Sequence, residues 1–184
     1  MKKIILASAS PRRRELLTVA GVEFEVCVKE VDESVPEGTD PVEAAKMTAT
    51  KKALAVAEDK ENCIVIGADT IVVANKKILG KPKDKNDAIS MLSMLSGVEH
   101  EVVTGVCIVN DGNPESFAQV SKVKFYELTK DEIERYVETG EPMDKAGSYG
   151  IQGRGCTLVE RIEGDYFNIV GLPVAEVVRR LRKL

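Results

Sequence analysis

Short apolar runs alternate along the chain with longer segments whose apolar residues recur every three or four positions, the pattern of strands interspersed with helices. Ile4 to Ala7 is a compact run with β-branched residues, and after Ser8-Ala9-Ser10 comes Pro11 and a segment carrying Leu16, Leu17 and Ala20. That predicts strand, tight turn and helix, with Ser10 as N-cap, Pro11 at the first helical position and Gly21 as the stop. Polar and apolar residues alternate from Glu23 to Val28, which predicts a second strand. Val42, Ala45, Ala49, Ala53, Leu54 and Ala57 fall at helical spacing and predict an amphipathic helix over 41–57. Cys63 to Ala68 is too short and β-rich for a helix and reads as a buried strand ending at Asp69, with strand resuming over Ile71-Val72-Val73.

A turn at Asn75-Lys76-Lys77 and a loop through Ile78-Leu79-Gly80-Lys81-Pro82 precede a predicted helix over 87–95. Residues 101–109 and 116–126 predict two long strands around the turn Asn110-Asp111-Gly112-Asn113. Thr129 with Glu132 three residues later is a capping box that opens a short helix reaching Glu138. Glycines recur too often between Gly140 and Gly171 for a helix there. Val174 to Leu184 closes the chain as an amphipathic helix, with Arg179, Arg180, Arg182 and Lys183 where the helix dipole favours cations. The class is α/β, and pairing of the two long strands makes the sheet mixed.

Composition narrows the function. The 184 residues fit one domain or one two-lobed unit, and 43% hydrophobic with 30% charged residues suits neither disorder nor a membrane span. A net charge of −4 with only 4% aromatic residues disfavours nucleic acid as a partner, so any anion site is local. The N-terminal apolar stretch is too short for a signal peptide and runs into Arg12-Arg13-Arg14, so a cytoplasmic protein is expected. Cys27, Cys63, Cys107 and Cys156 lack paired spacing and read as reduced thiols, mostly buried. The single histidine, His100, excludes a multi-histidine metal site.

Within that frame, Ser8-Ala9-Ser10-Pro11-Arg12-Arg13-Arg14 places hydroxyls, backbone N–H groups and guanidinium forks at a helix start, a phosphate cradle. Glu33 follows a strand and Asp69 stands at the end of one, where α/β sheets bind ligands, and the two carboxylates could share a magnesium ion. Lys52 on the second helix and Lys81 in Leu79-Gly80-Lys81-Pro82 could neutralise a triphosphate as point charges. Taken singly, these four residues also read as ordinary surface charge. Met143 to Gly155 packs four glycines among polar side chains, a binding loop that has neither the P-loop order nor the dinucleotide-binding one.

At these residues the chain resembles the Maf family of nucleotide pyrophosphatases along nearly its whole length. Ser8 to Leu17 resembles the family's S-x-S-P-R-R-x-E-L-L opening. Val31-Asp32-Glu33, Lys52-Ala53, Gly67-Ala68-Asp69-Thr70, Gly80-Lys81-Pro82, Val103-Thr104-Gly105-Val106, Glu141 to Gly147, Gly164-Asp165-Tyr166 and Val170-Gly171-Leu172-Pro173 follow in the family's order. The resemblance implies an elongated α/β fold with a curved mixed sheet flanked by helices and a deep cleft between two lobes, similar to the inosine triphosphate pyrophosphatase architecture. It implies Asp69 as catalytic base, with Ser8, Arg13, Lys52 and Lys81 binding the polyphosphate and Glu33 and Asp69 holding Mg²⁺ or Mn²⁺. Arg12, Thr70 and Gln152 resemble the branch that acts on dTTP and UTP rather than the one preferring 7-methyl-GTP. Homodimerisation is implied in the same way. The expected activity is hydrolysis of a canonical or modified pyrimidine triphosphate to monophosphate and pyrophosphate, and the alternative is a nucleotide-binding regulator of cell division without essential turnover.

Overall fold

The computed structural model describes residues 2–184. Its strands are β1 (Lys3–Leu6), β2 (Glu25–Val26), β3 (Cys63–Ala74), β4 (Lys77–Leu79), β5 (Glu99–Asn110), β6 (Asn113–Phe125) and β7 (Val159–Glu163). The helices are α1 (Pro11–Val19), α2 (Pro41–Ala57), α3 (Lys85–Leu95), α4 (Lys130–Glu138), α5 (Tyr166–Val170) and α6 (Val174–Leu181). Among the described residues the strands form one seven-stranded sheet in the order β2-β1-β3-β5-β6-β7, with β4 paired to β3. β1 runs parallel to β2 and β3, whereas β3–β4 and β6–β7 are antiparallel, so the sheet is mixed as expected. Among the described residues no helix is long and apolar enough to cross a membrane.

The chain divides into two compact units. The first holds the chain up to Thr70, Thr104–Gln119 and Gly171–Leu184, and the second holds Ile71–Val103 and Val120–Val170.

In the first unit, helix α2 begins where Asp40 caps the backbone N–H groups of Val42 and Glu43 ahead of Pro41. Its buried alanines, Ala45, Ala49 and Ala53, let its backbone settle on two glycines of neighbouring strands. A Cβ added at Gly67 of β3 would stand 2.8 Å from the Ala53 nitrogen, and one at Gly105 of β5 would stand 2.6 Å from the Lys46 nitrogen. Alternate residues of a strand share a face, so the side of β3 that carries Cys63 and Val65 under this helix also carries Gly67 and Asp69. The buried cluster of Ile5, Ala7, Ala49, Ala53, Val56, Cys63, Val65, Cys107 and Val109 fills the space between.

In the second unit the core centres on Leu92, Leu95, Val102 and Phe125. His100 is buried there, edge-on to Phe125 and Tyr149 at centroid distances of 4.9 and 5.4 Å, with Nε2 2.8 Å from the Tyr149 hydroxyl. Helix α4 opens with the capping box of Thr129 and Glu132.

Several boundaries differ from the sequence reading. β3 does not end at Asp69 but continues to Ala74, because pairing with β1 as far as Ile66 is taken up by pairing with β4 from Val72. Asp69 therefore lies within a strand, in the half-buried stretch Asp69–Ile71 between the two pairings. The expected turn is present at Asn75 and Lys76, both at positive φ (49° and 62°), but it closes a hairpin, since Lys77–Leu79 forms strand β4 rather than leading straight into a loop. β2 keeps only the two residues that pair with Ile5 and Leu6. The glycine-rich segment contains β7, α5 and three short 3₁₀ turns, and α6 ends at Leu181. All four cysteines are free, with Cys63 and Cys107 buried, Cys27 half-buried and Cys156 exposed.

Two expectations follow from this packing. Gly105→Ala is expected to destabilise the protein by about 1–3 kcal/mol in chemical denaturation, since its methyl collides with helix backbone rather than a movable side chain. Gly80→Ala, with nothing near its Cβ, should be close to neutral. Burial pushes the His100 imidazole pKa down to about 4, with the Val98 backbone and Glu99 opposing only in part. Its stabilising contribution is thus complete above the ordinary histidine value and is lost as pH falls from about 6.5 to 4, by about 3 kcal/mol. Unfolding free energies measured across that range should fall accordingly, and His100→Phe should flatten that part of the profile.

Candidate active site

The site of the first unit consists of two side-chain groups that meet at consecutive residues of β3. Lys52, on the α2 turn that rests against Gly67, extends Nζ to Asp69 Oδ1 at 2.8 Å and to Glu33 Oε2 at 3.1 Å. Lys52 and Asp69 are each 17% exposed, whereas Glu33 is 58% exposed, so the first pair is shielded and the third member opens to solvent. Asp69 Oδ2 has no hydrogen-bond partner among the described residues.

Thr70, one position on, projects to the other side of the strand. Its hydroxyl lies 2.9 Å from that of Thr104 in β5 and receives a hydrogen bond of 2.9 Å from Arg13 Nη2. Arg13 Nη1 donates to Ser8 Oγ at 3.0 Å and Nε to the Gly171 carbonyl at 2.8 Å. Gly171 reaches this position with φ of +130°, a conformation that suits glycine. Ser8 also accepts the Ser10 N–H at 3.3 Å, and Ser10 caps α1 through the Arg13 N–H. With both lone-pair directions of Ser8 used, its own O–H remains to donate.

The Arg13 guanidinium is buried, and all three of its hydrogen bonds go to neutral oxygens. Burial lowers its proton affinity from the ordinary arginine value, Asp69 and Glu33 raise it, and Arg12 lowers it further. Among the described residues its charge is thus met by no direct ion pair, and only the field of Asp69 and Glu33 offsets it. Arg12 is half-buried beside it, and Arg14 turns outward with Nη2 on the Ala9 carbonyl at 3.2 Å.

Ser8, Arg13, Thr70, Glu33, Lys52 and Asp69 are therefore brought together in these two groups. Lys81 and Gln152 belong to the second unit. Lys81 is exposed just past Gly80, whose carbonyl accepts the Gly147 N–H at 3.0 Å, and Gln152 is half-buried at the start of a 3₁₀ turn over Gly153–Leu158. Thr104 and the Gly171 carbonyl were not singled out from sequence as site residues. Both lie in stretches that match the family pattern, which is the signal that marks them.

Two carboxylates already converge on one cationic group, the Lys52 ammonium, and among the described residues no cluster of three or more His, Cys, Asp or Glu stands ready for a metal. That donor set suits a hard divalent ion that keeps waters and takes its remaining ligands from phosphate.

Thr70→Val keeps the shape but leaves Arg13 Nη2 and the Thr104 hydroxyl without this partner. It is expected to cost about 1–3 kcal/mol in urea unfolding, and Thr70→Ser should restore most of the loss.

A family model described as Maf-like protein matches residues 3–184. A dTTP/UTP pyrophosphatase of Geobacillus sp. (strain WCH70) is 50% identical over 184 residues, covering 100% of this chain and 99% of the relative. Another dTTP/UTP pyrophosphatase, from Bacillus cytotoxicus, is 52% identical over 183 residues, covering 100% of this chain and 96% of the relative. Among solved structures, a HAM1 protein from Coxiella burnetii matches over 100% of both chains with a TM-score of 0.55 at 15% identity, a likeness of fold.

Proposed function

This chain belongs to the Maf-like protein family, and from that membership we propose that it is a nucleoside triphosphate pyrophosphatase acting on dTTP and UTP and releasing the monophosphate and pyrophosphate. The observation that carries the chemistry is Lys52 bridging Asp69 and Glu33 beside the buried Arg13 guanidinium. Cleavage between the α and β phosphates needs a water directed at the α phosphorus, a base for its proton, and positive charge for the departing pyrophosphate.

Asp69 is the base. Lys52 fixes the carboxylate through Oδ1 and leaves Oδ2 to accept the proton. Arg13, braced by Ser8, Thr70 and Gly171, offers a preorganised charge to the polyphosphate that needs no rearrangement. The Ser8 hydroxyl donates beside it, and Lys81 adds a point charge. Asp69 and Glu33 would hold Mg²⁺ or Mn²⁺, which supplies neutralisation of phosphate charge and acidification of the attacking water. Arg12 and Gln152 discriminate the base. Thr70, grouped with them by resemblance, acts through Arg13, since its hydroxyl is engaged there. A cytoplasmic setting with free thiols is part of this reading.

Pyrophosphate release from dTTP and UTP is the direct test, and a protein that binds these nucleotides without turnover overturns the reading. Asp69→Asn is expected to lower kcat on the order of a hundredfold or more with its melting transition intact, and retention of more than about a tenth of wild-type kcat would remove Asp69 as base. Chelation of divalent ions should abolish turnover, with Mg²⁺ or Mn²⁺ restoring it; undiminished rates after chelation would refute the metal assignment.

A further inference from the structure

Gln152 is half-buried, and its side-chain amide makes no hydrogen bond among the described residues. The backbone around it is held in place instead. Just before it, the Gly150 N–H donates to the Tyr136 hydroxyl at 3.2 Å, and the Ile151 side chain is buried. Just after it, the Arg154 N–H donates to both carboxylate oxygens of Glu141, at 3.2 and 3.1 Å.

The glycines of this loop are packed against the same groups. A Cβ at Gly153, where φ is +64°, would stand 3.0 Å from each Glu141 oxygen. A Cβ at Gly155 would stand 2.7 Å from the Tyr136 hydroxyl, and one at Gly150 would stand 2.7 Å from Lys145 Cε. Lys145 Nζ in turn donates to the Glu141 carbonyl at 2.5 Å, and the Glu141 N–H donates to Thr139 Oγ1 at 3.1 Å, so the clamp is itself held at both ends.

We infer that Glu141 is a positioning residue for base selection: by gripping the Arg154 amide it sets the direction of the unengaged Gln152 amide and so the preference for pyrimidine over purine triphosphates. The inference rests on the reading of Gln152 as the base-contacting residue. A carboxylate spent on one backbone N–H removes loop disorder before the ligand arrives, which sharpens discrimination between similar ligands. Glu141 touches no substrate in this role.

The experiment compares kcat/KM for UTP and GTP, from pyrophosphate release, in wild type, Glu141→Ala, Glu141→Gln, Gly153→Ala, Gln152→Ala and the Glu141→Ala/Gln152→Ala pair. Glu141→Ala is expected to lower the UTP-over-GTP ratio on the order of tenfold, chiefly through a higher KM for UTP. Glu141→Gln keeps an acceptor oxygen for the Arg154 amide and should retain most of the preference. Gly153→Ala, which crowds the carboxylate without removing it, should reproduce the loss and carries the comparison should Glu141→Ala not fold. The double variant should be no less selective than Gln152→Ala alone. If Gln152→Ala lowers the ratio while Glu141→Ala and Gly153→Ala leave it unchanged, or if the two losses multiply in the pair, the inference is overturned and the role of Gln152 stands. An unchanged ratio in Gln152→Ala overturns both.

Discussion

The Lys52–Asp69 contact of the first unit depends on how closely a helix can lie on a sheet. At Gly67 and Gly105 the strands present no side chain, and at Ala45, Ala49 and Ala53 the helix presents almost none, so α2 rests nearly backbone to backbone on β3 and β5. Any larger residue at these places would lift the helix and carry Lys52 away from Asp69. Small residues that would weaken an ordinary core by burying little apolar area are here the condition for a 2.8 Å ion pair.

Around that contact the unit arranges charge in an unequal way. The Lys52 ammonium has two carboxylates, whereas the Arg13 guanidinium has only hydroxyls and a carbonyl as direct partners. Buried cations are expensive, and Arg13 is held by the field of Asp69 and Glu33 together with partners that are themselves fixed, Ser8 by the turn into α1, Thr70 by its strand and Thr104, and Gly171 by a backbone conformation open to glycine. The result is a site whose positive charge is oriented by its own neighbours.

Much of this was legible from the residues. The strand–turn–helix at Ser10-Pro11, the exact span of α2 and the Thr129–Glu132 capping box follow from cues within a few positions. What depended on distant partners was not. Asp69 interrupts an apolar run and so looks like a strand end, yet pairing with β1 on one side of it and β4 on the other carries the strand through. β7 has little apolar pattern of its own and exists by pairing with β6. At the site, the ordered motifs drew attention to Ser8, Arg13, Lys52 and Asp69, but spacing in sequence cannot say that Thr70 braces Arg13, or that a carbonyl at Gly171 does, since a backbone oxygen leaves no mark in the residue code.

The hydrogen bond from Arg13 to Gly171 spans 158 positions. On the ribosome the first turn of α1 emerges long before its carbonyl acceptor does, and until then the guanidinium must stay in water. Every residue of the second unit precedes Gly171, whereas the first unit takes in segments from both sides of it in the chain and closes only when Gly171–Leu184 joins them. Ordering of the Arg13 guanidinium is thereby tied to synthesis through Gly171, and a chain stopped short of it carries Asp69 and Lys52 without the carbonyl that helps hold Arg13.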